Sequence, residues 1–142
     1  MSRADDAVMH LQMARNAERQ GDFLGARVGY MKCTESWKQD GNEAQLESAT
    51  KEYEEFVKRD PIFRKLINGL LPFIKANPGV IQSEITGKLE AAPGWSALYS
   101  HDRGIFKDDV YYALYFAEKL GMISRAKKGR SYELRVLSEI VS

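Results

Sequence analysis

The chain has 142 residues, 44% of them hydrophobic, with 21 Lys and Arg residues against 20 Asp and Glu residues. That length fits one domain or two small ones, and no apolar run approaches the roughly 18 residues that a membrane-spanning helix needs. The N-terminus lacks the apolar segment of a signal peptide, and the single cysteine, Cys33, excludes an internal disulfide and a cysteine-based zinc site. We therefore expect an intracellular protein, cytoplasmic or associated with the nucleoid, that does not enter a membrane.

The net charge of +1 conceals opposite balances in the two halves of the chain. Residues 1–60 carry 9 Lys/Arg and 12 Asp/Glu, a net charge of −3, whereas residues 61–142 carry 12 and 8, a net charge of +4. A cationic cluster in one half is the direction expected of a surface that meets phosphate groups. The late cations are Lys119, Arg125, Lys127, Lys128, Arg130 and Arg135.

Three amphipathic helices are predicted in the first sixty residues. The first covers residues 4–20 and is expected to turn inward Ala7, Leu11, Ala14 and Ala17, with Val8 and Met13 beside them. The second starts after Asp22, a good N-cap, and the third starts at Asn42 and stops at Asp60-Pro61, because the residue before a proline resists the helical conformation. The inward positions of these two helices are expected to be Phe23, Ala26, Tyr30, Cys33 and Trp37, then Leu46, Ala49, Tyr53, Phe56 and Val57.

The second and third helices resemble the second helix of a tetratricopeptide repeat. The turn, small, aromatic and closing-proline positions of that motif are matched by Gly21-Asp22-Phe23, Ala26 and Tyr30, then by Ala49, Tyr53, Phe56 and Pro61. Two departures are that Lys38 replaces the first closing proline and that Ala49 follows Ala26 by 23 residues instead of roughly 34. The resemblance implies a three-helix, tetratricopeptide-like bundle over residues 1–60. Simple helix packing and a groove for another protein, or for a second copy of the chain, both remain open.

Residues 61–76 are predicted to form a helix that links this bundle to the rest of the chain. Pro61 suits a first helical position, and the apolar face is too wide to be left in water, comprising Ile62, Phe63, Leu66, Ile67, Leu70, Phe73 and Ile74. After a break at Asn77-Pro78-Gly79, a short helix is expected with Ser83 as its cap and with Ile85 and Leu89 facing inward. Residues 91–105 then form an insertion in which Trp95, Leu98 and Tyr99 are expected to pack on the core or on a partner.

The last predicted elements are a helix and a small hairpin. In residues 106–121 the core face is expected to hold Phe106, Val110, Ala113, Leu114, Ala117 and Leu120, with Gly121 as the C-terminal cap. Strands are predicted at Met122–Ala126 and Ser131–Val136, flanking the basic turn Lys127-Lys128-Gly129-Arg130.

A helix packed on a core and followed by a hairpin with a basic tip resembles the closing half of a winged helix-turn-helix domain. The resemblance covers residues 62–142. It implies a mainly α fold with two parts: the three-helix bundle at 1–60, then the linking helix and the winged helix with its antiparallel β-hairpin at 61–142.

The resemblance also implies double-stranded DNA as a partner, bound by a non-enzymatic protein such as a transcriptional regulator, with the helical bundle serving dimerisation or contact with a partner. A 3.6-residue period places opposite the core face Asp108, Tyr111, Tyr112, Tyr115 and Lys119. The tyrosines Tyr111, Tyr112 and Tyr115 are then expected in or near the groove. The expected phosphate contacts are Lys119, Arg125, Lys127, Lys128 and Arg130. Asp108 and Asp109 oppose this placement, although acidic residues are also common near helix starts.

A protein scaffold is the alternative. Helical repeats followed by a winged helix also occur in the scaffold domains of proteasome-lid and initiation-factor subunits, and a tyrosine-rich face suits a protein interface as well as DNA. Enzymatic activity is not expected, because the chain has two histidines far apart and no phosphate loop, nucleophile elbow or metal-ligand spacing. We accordingly predict no catalytic residue, no metal and no cofactor.

Overall fold

The computed structural model describes residues 2–91 and 103–137. Its elements are α1 (Arg3–Arg19), α2 (Phe23–Asp40), α3 (Glu43–Arg59), α4 (Pro61–Ala76), α5 (Gln82–Ala91), α6 (Arg103–Lys119), β1 (Ile123–Lys128) and β2 (Ser131–Val136). The prediction of a mainly helical chain that ends in an antiparallel hairpin is confirmed. The chain divides into two compact units, Met1–Pro61 and Ile62–Ser142. The packing expected of Trp95, Leu98 and Tyr99 lies outside the described residues.

Side-chain caps begin the first three helices. Asp22 caps α2, as predicted, by accepting a hydrogen bond of 2.9 Å from the amide three residues further on, and Asn42 caps α3 in the same way at 3.1 Å. α1 begins with a capping box that was not predicted, in which Ser2 and Asp5 each accept a hydrogen bond from the other's amide. Such a cap stabilises a helix start by about 1 kcal/mol, because it satisfies an N–H group without an intrahelical partner.

Small and aromatic side chains form the core of the first unit. α1 packs on α2 and α2 on α3, burying Ala7, Ala14, Ala26, Tyr30, Cys33, Ala49, Tyr53, Phe56 and Val57. The Tyr30 ring stacks on Phe56, with centroids 4.9 Å apart, and on Tyr53 at 6.0 Å. Val8 and Met13 differ from expectation, since they are 50% and 58% exposed. Burial raises the pKa of the Cys33 thiol, which therefore packs in its neutral form.

Two arginine–carboxylate pairs join α1 to α3. Arg15 binds both oxygens of Glu52 at 2.7 Å, and Arg59 binds both oxygens of Glu18 at 2.8 and 3.1 Å. The hydrogen bonds from Arg59 hold the pKa of Glu18 below its usual value. Both pairs are partly exposed, so each contributes at most about 1 kcal/mol despite its two-point geometry.

Because of Tyr30, the stability of the first unit depends on pH in the alkaline range. Burial, reinforced by the negative charge of Glu18, raises the pKa of its phenol from 10.0 to about 12, and its hydroxyl donates to Glu18 at 3.2 Å. Below pH 10 the tyrosine is neutral in the folded and the unfolded chain. Between pH 10 and 12 the unfolded chain loses this proton first, so the free energy of unfolding decreases as the pH rises.

We therefore expect the free energy of unfolding to decrease less in the Tyr30→Phe variant than in the wild type between pH 10 and 12. The two decreases should differ by on the order of 2 kcal/mol. Urea unfolding followed by circular dichroism at a series of pH values measures the difference. Tyr115→Phe, which removes the hydroxyl of a 45% exposed ring, is the matched control. Parallel pH dependences for wild type and Tyr30→Phe would contradict the assignment.

The core of the second unit lies between α4, α5, α6 and the hairpin. Among the residues whose burial is described, its largest fully buried side chains are Phe63, Leu66, Ile67, Leu70, Ile85, Leu89, Leu114, Ile123, Leu134 and Val110. The expectation that Ser83 caps α5 is wrong, because the helix already begins at Gln82. The Ser83 amide donates instead to the Ser131 hydroxyl at 2.9 Å, which ties the start of α5 to β2. No helix within the described ranges has the length and apolar character needed to cross a bilayer.

Candidate nucleic-acid interface

Helix α6 separates buried from exposed side chains from Asp108 onward. Its buried side holds Val110, Ala113, Leu114, Phe116 and Ala117, as the three- and four-residue spacing predicts. On the opposite side Asp108, Tyr115 and Lys119 are exposed, seven and four residues apart. The C-terminal half of this exposed stripe therefore presents an aromatic ring and a cation, and its N-terminal half presents a carboxylate.

The end of α6 directs the chain straight into the hairpin. Gly121 adopts a left-handed conformation with φ 76°. Its amide donates to the Glu118 carbonyl at 3.0 Å, and the Met122 amide donates to the Ala117 carbonyl at 2.8 Å. These are the two hydrogen bonds of a Schellman motif, so the predicted glycine cap is confirmed. β1 begins only two residues later and packs on α6.

The hairpin is tighter than predicted. Lys128 pairs with Ser131, so the turn consists of Gly129 and Arg130 alone, and β1 extends through Lys127 and Lys128 instead of stopping at Ala126. Gly129 has φ 63°, a conformation that glycine adopts without strain at the first position of a two-residue turn. Two of the four cationic-turn residues predicted from the sequence, Lys127 and Lys128, are therefore strand residues whose side chains have a defined direction.

One side of the ribbon faces the exposed stripe of α6. Arg125 and Lys127 leave the same side of β1, and Tyr132 lies opposite Lys127 in the register. The Arg125 guanidinium carbon is 4.8 Å from the centre of the Tyr132 ring and 5.9 Å from that of Tyr115. The ammonium of Lys119 lies 5.5 Å from the Tyr115 ring.

We call Tyr115, Lys119, Arg125, Lys127 and Tyr132 the aromatic–basic face. The two tyrosine rings are 45% and 36% exposed, so the face is open to a ligand. Arg125 is its centre, and only 14% of that side chain is exposed. Its guanidinium donates to Glu118 at 2.9 Å and to the Gln82 side chain at 3.1 Å. Because these hydrogen bonds hold its guanidinium in place, Arg125 packs against the two rings and supports them. The sequence had predicted that Arg125 contacts phosphate.

The other predicted residues lie in different environments. Lys128 and Arg130 are exposed at the tip of the hairpin, with Lys128 on the opposite side of the ribbon from Lys127. Tyr111 and Tyr112 are half-buried at the flanks of α6. The Tyr112 ring meets Phe63 edge-on with centroids 6.3 Å apart, and Phe116 at 5.3 Å. Tyr112 therefore contributes to the core, and the expectation that it lies opposite the core face is not met.

Three residues of this site were not identified from the sequence. Tyr132 forms one wall of the face, and Glu118 and Gln82 hold Arg125 in place. Tyr132 was identifiable in principle, because a two-residue turn at Gly129 places it opposite Lys127 and beside Arg125. Gln82 lies 43 residues from Arg125, and no local pattern connects them.

The same described ranges, 2–91 and 103–137, contain no group of three or more His, Cys, Asp or Glu side chains that could hold a metal ion. No family model, curated protein or solved structure matches the chain. What the chain binds is therefore inferred from the chemistry of the aromatic–basic face itself.

Proposed function

We propose that this chain is a non-enzymatic protein that binds double-stranded DNA through the aromatic–basic face and the tip of the hairpin. The observation that carries the proposal is the position of Arg125 against both Tyr115 and Tyr132. Through that contact the exposed stripe of α6 adjoins the cationic ribbon, so one polyanion can meet both. Two separate basic patches would not favour a single extended ligand in this way.

The order of the elements supports a winged helix-turn-helix as the scaffold of this interface. α4 is followed by a turn at residues 77–79 and a short extended segment at residues 80–81, and then come α5, α6 and the hairpin. Ile81 of the extended segment pairs with Glu133 of β2, and the Leu134 amide donates to the Val80 carbonyl at 3.0 Å. If the chain binds DNA as a winged helix-turn-helix does, α6 enters the major groove and the hairpin lies along the adjacent DNA backbone.

The charges assign a role to each part of the interface. Lys127, Lys128 and Arg130 would neutralise phosphates, together with Lys119 at the end of α6. Asp108 precedes Tyr115 by seven residues, a rise of about 10 Å along the helix. Its carboxylate would repel phosphate, so the duplex would approach the C-terminal half of α6. Tyr115 is the ring best exposed to a base edge or a phosphate there.

The test is the salt dependence of binding to a fluorescently labelled duplex, measured by anisotropy. We expect the logarithm of the affinity to fall linearly with the logarithm of the salt concentration. Replacing Lys127, Lys128 and Arg130 with alanine is expected to reduce that slope by about 3 and the affinity at about 0.1 M salt by at least about tenfold. Each substitution removes one released counterion.

A matched control removes the same charge elsewhere. Lys32, Lys38 and Lys51 are exposed cations of the first unit, and replacing all three with alanine is expected to leave the slope unchanged. If the two triple variants reduced the slope equally, binding would depend on the net charge of the protein and not on this interface. Undetectable binding at low salt would overturn the proposal.

A protein scaffold is the second candidate function, and the surface of the first unit favours it. Val8, Met13, Leu24 and Met31 are between 40% and 58% exposed on α1 and α2, and exposed methionines are common on protein-binding surfaces. A protein or a second copy of the chain would then bind the first unit. Association that survives high salt and the triple substitution at the hairpin tip would support this function.

A further inference from the structure

Exposed apolar side chains are concentrated on the first two helices. Among the residues whose burial is described, nine large hydrophobic side chains are exposed, and six of them lie on α1 and α2. Three of the six, Leu24, Val28 and Met31, follow one another at spacings of four and three residues, so they form one stripe along α2. The stripe lies on the opposite side of the helix from the buried Ala26 and Cys33, so it does not belong to the core.

Opposite charges lie along one flank of this stripe. The Asp22 carboxylate accepts a hydrogen bond of 2.9 Å from the Gly25 amide and occupies the place that a Cβ atom of Gly25 would take. Lys32 is seven residues from Gly25, so its side chain leaves α2 on the same side. Lys32 is exposed and forms no hydrogen bond or ion pair with residues 2–91 or 103–137. An acidic group therefore lies beside the start of the stripe, and an unpaired cation lies beside its end.

The apolar and the charged positions are symmetric about nearly the same point of α2. Leu24 and Met31 lie equally far from position 27.5, and Asp22 and Lys32 lie equally far from position 27. If a second copy packs its α2 antiparallel on this one, with the two-fold axis near Val28, Leu24 of each copy meets Met31 of the other. Asp22 then lies level with Lys32 of the other copy, because the two centres differ by less than about 1 Å along the helix. A two-fold interface requires such self-complementarity, whereas an unrelated partner does not.

We propose that α2 binds α2 of a second copy of this chain through this stripe, in an antiparallel two-fold dimer. Beyond Met31, the exposed Glu35 is level with residue 20 of the second copy, next to the exposed Arg19. Three apolar side chains per copy are far fewer than the roughly 20 residues that a standard interface takes from each partner, so the dimer is weak and depends on concentration. The proposal rests on the second candidate function, for which it names the occupant, and it uses no residue of the aromatic–basic face.

Sedimentation equilibrium of the full-length protein at increasing concentration is expected to show monomer and dimer. Val28→Glu should weaken the dimer by at least about tenfold, because it places two carboxylates at the two-fold axis. Val8→Glu is the matched control at another exposed valine. Val8 lies seven residues before Arg15, which binds α3, so its side chain leaves α1 toward α3 and the dimer should be unchanged. Circular dichroism checks that both variants fold.

Two charge variants test the antiparallel register. Lys32→Glu is expected to weaken the dimer about tenfold, because each new carboxylate lies level with Asp22 of the other copy. Asp22→Asn keeps the cap of α2, since asparagine caps as well as aspartate. It should weaken the wild-type dimer but strengthen the Lys32→Glu dimer, by about threefold in each case. Equal effects of Asp22→Asn in the two backgrounds would overturn the register.

Crosslinking tests the two-fold axis directly. Oxidised Val28→Cys protein is expected to form a covalent dimer, because the two copies of this position face each other. Oxidised Leu24→Cys protein is not, since its two copies lie about 11 Å apart along the helices and a disulfide spans at most about 7 Å. A chain that stays monomeric, or a dimer that Val28→Glu does not weaken, would overturn the proposal. The binding of another protein to the first unit and of DNA to the second would then still stand, since each has its own assay.

Discussion

Replacing Gly29 with valine is expected to lower the free energy of unfolding of the first unit by about 3 kcal/mol. A Cβ atom at this position would lie 2.7 Å from the Cβ of Ala14 and 2.9 Å from its Cα. The second of these atoms belongs to the backbone and cannot rotate away. α1 would have to move off α2, and the buried alanines at their contact would lose packing. Urea unfolding followed by circular dichroism measures the loss.

Gly87 is the matched control for this substitution. It also lies within a helix, but a Cβ atom there would meet no atom of the described residues within 4 Å. Valine at Gly87 should therefore leave stability unchanged or raise it by a few tenths of a kcal/mol, because glycine is a poor helix former. If the two variants were equally stable, the close approach of α1 and α2 would be refuted.

Phe63→Ala is expected to cost the second unit about 3–5 kcal/mol. The Phe63 side chain has no exposed surface, and its ring supports the edge of Tyr112 on α6. Its removal leaves a cavity beneath the helix that carries Tyr115 and Lys119. Affinity for the duplex should fall together with stability, since a mobile α6 cannot keep its exposed stripe beside the ribbon.

Phe73→Ala provides the comparison within α4. Phe73 is only half-buried, so the same change should cost less than half as much as Phe63→Ala. Thermal unfolding and duplex anisotropy on both variants measure the two effects. A Phe63→Ala protein with unchanged stability would show that α4 does not support α6 in the way described.

The helix boundaries were largely predictable because they depend on neighbouring residues. Asp22 caps α2 by a hydrogen bond to an amide three residues away. At Gly121, α6 ends with hydrogen bonds between residues three and five positions apart. The apolar spacing of α6 likewise identified its buried side. The length of β1 was missed, since whether Lys127 and Lys128 are turn or strand depends on the cross-strand partners that Gly129 permits.

The sequence by itself determined the helices, the hairpin and the concentration of cations near its turn, because caps, apolar period and composition act over a few residues. Only the tertiary structure decided which cations are exposed and which are engaged. Arg125 and Lys127 are two residues apart, yet Arg125 is held by Gln82 and Glu118 whereas Lys127 is exposed. The tertiary structure likewise packs Tyr112 against Phe63 of the core. It also brings Arg125 against the rings of both Tyr115 and Tyr132. Such contacts join residues distant in the chain, so the packing of whole elements determines them.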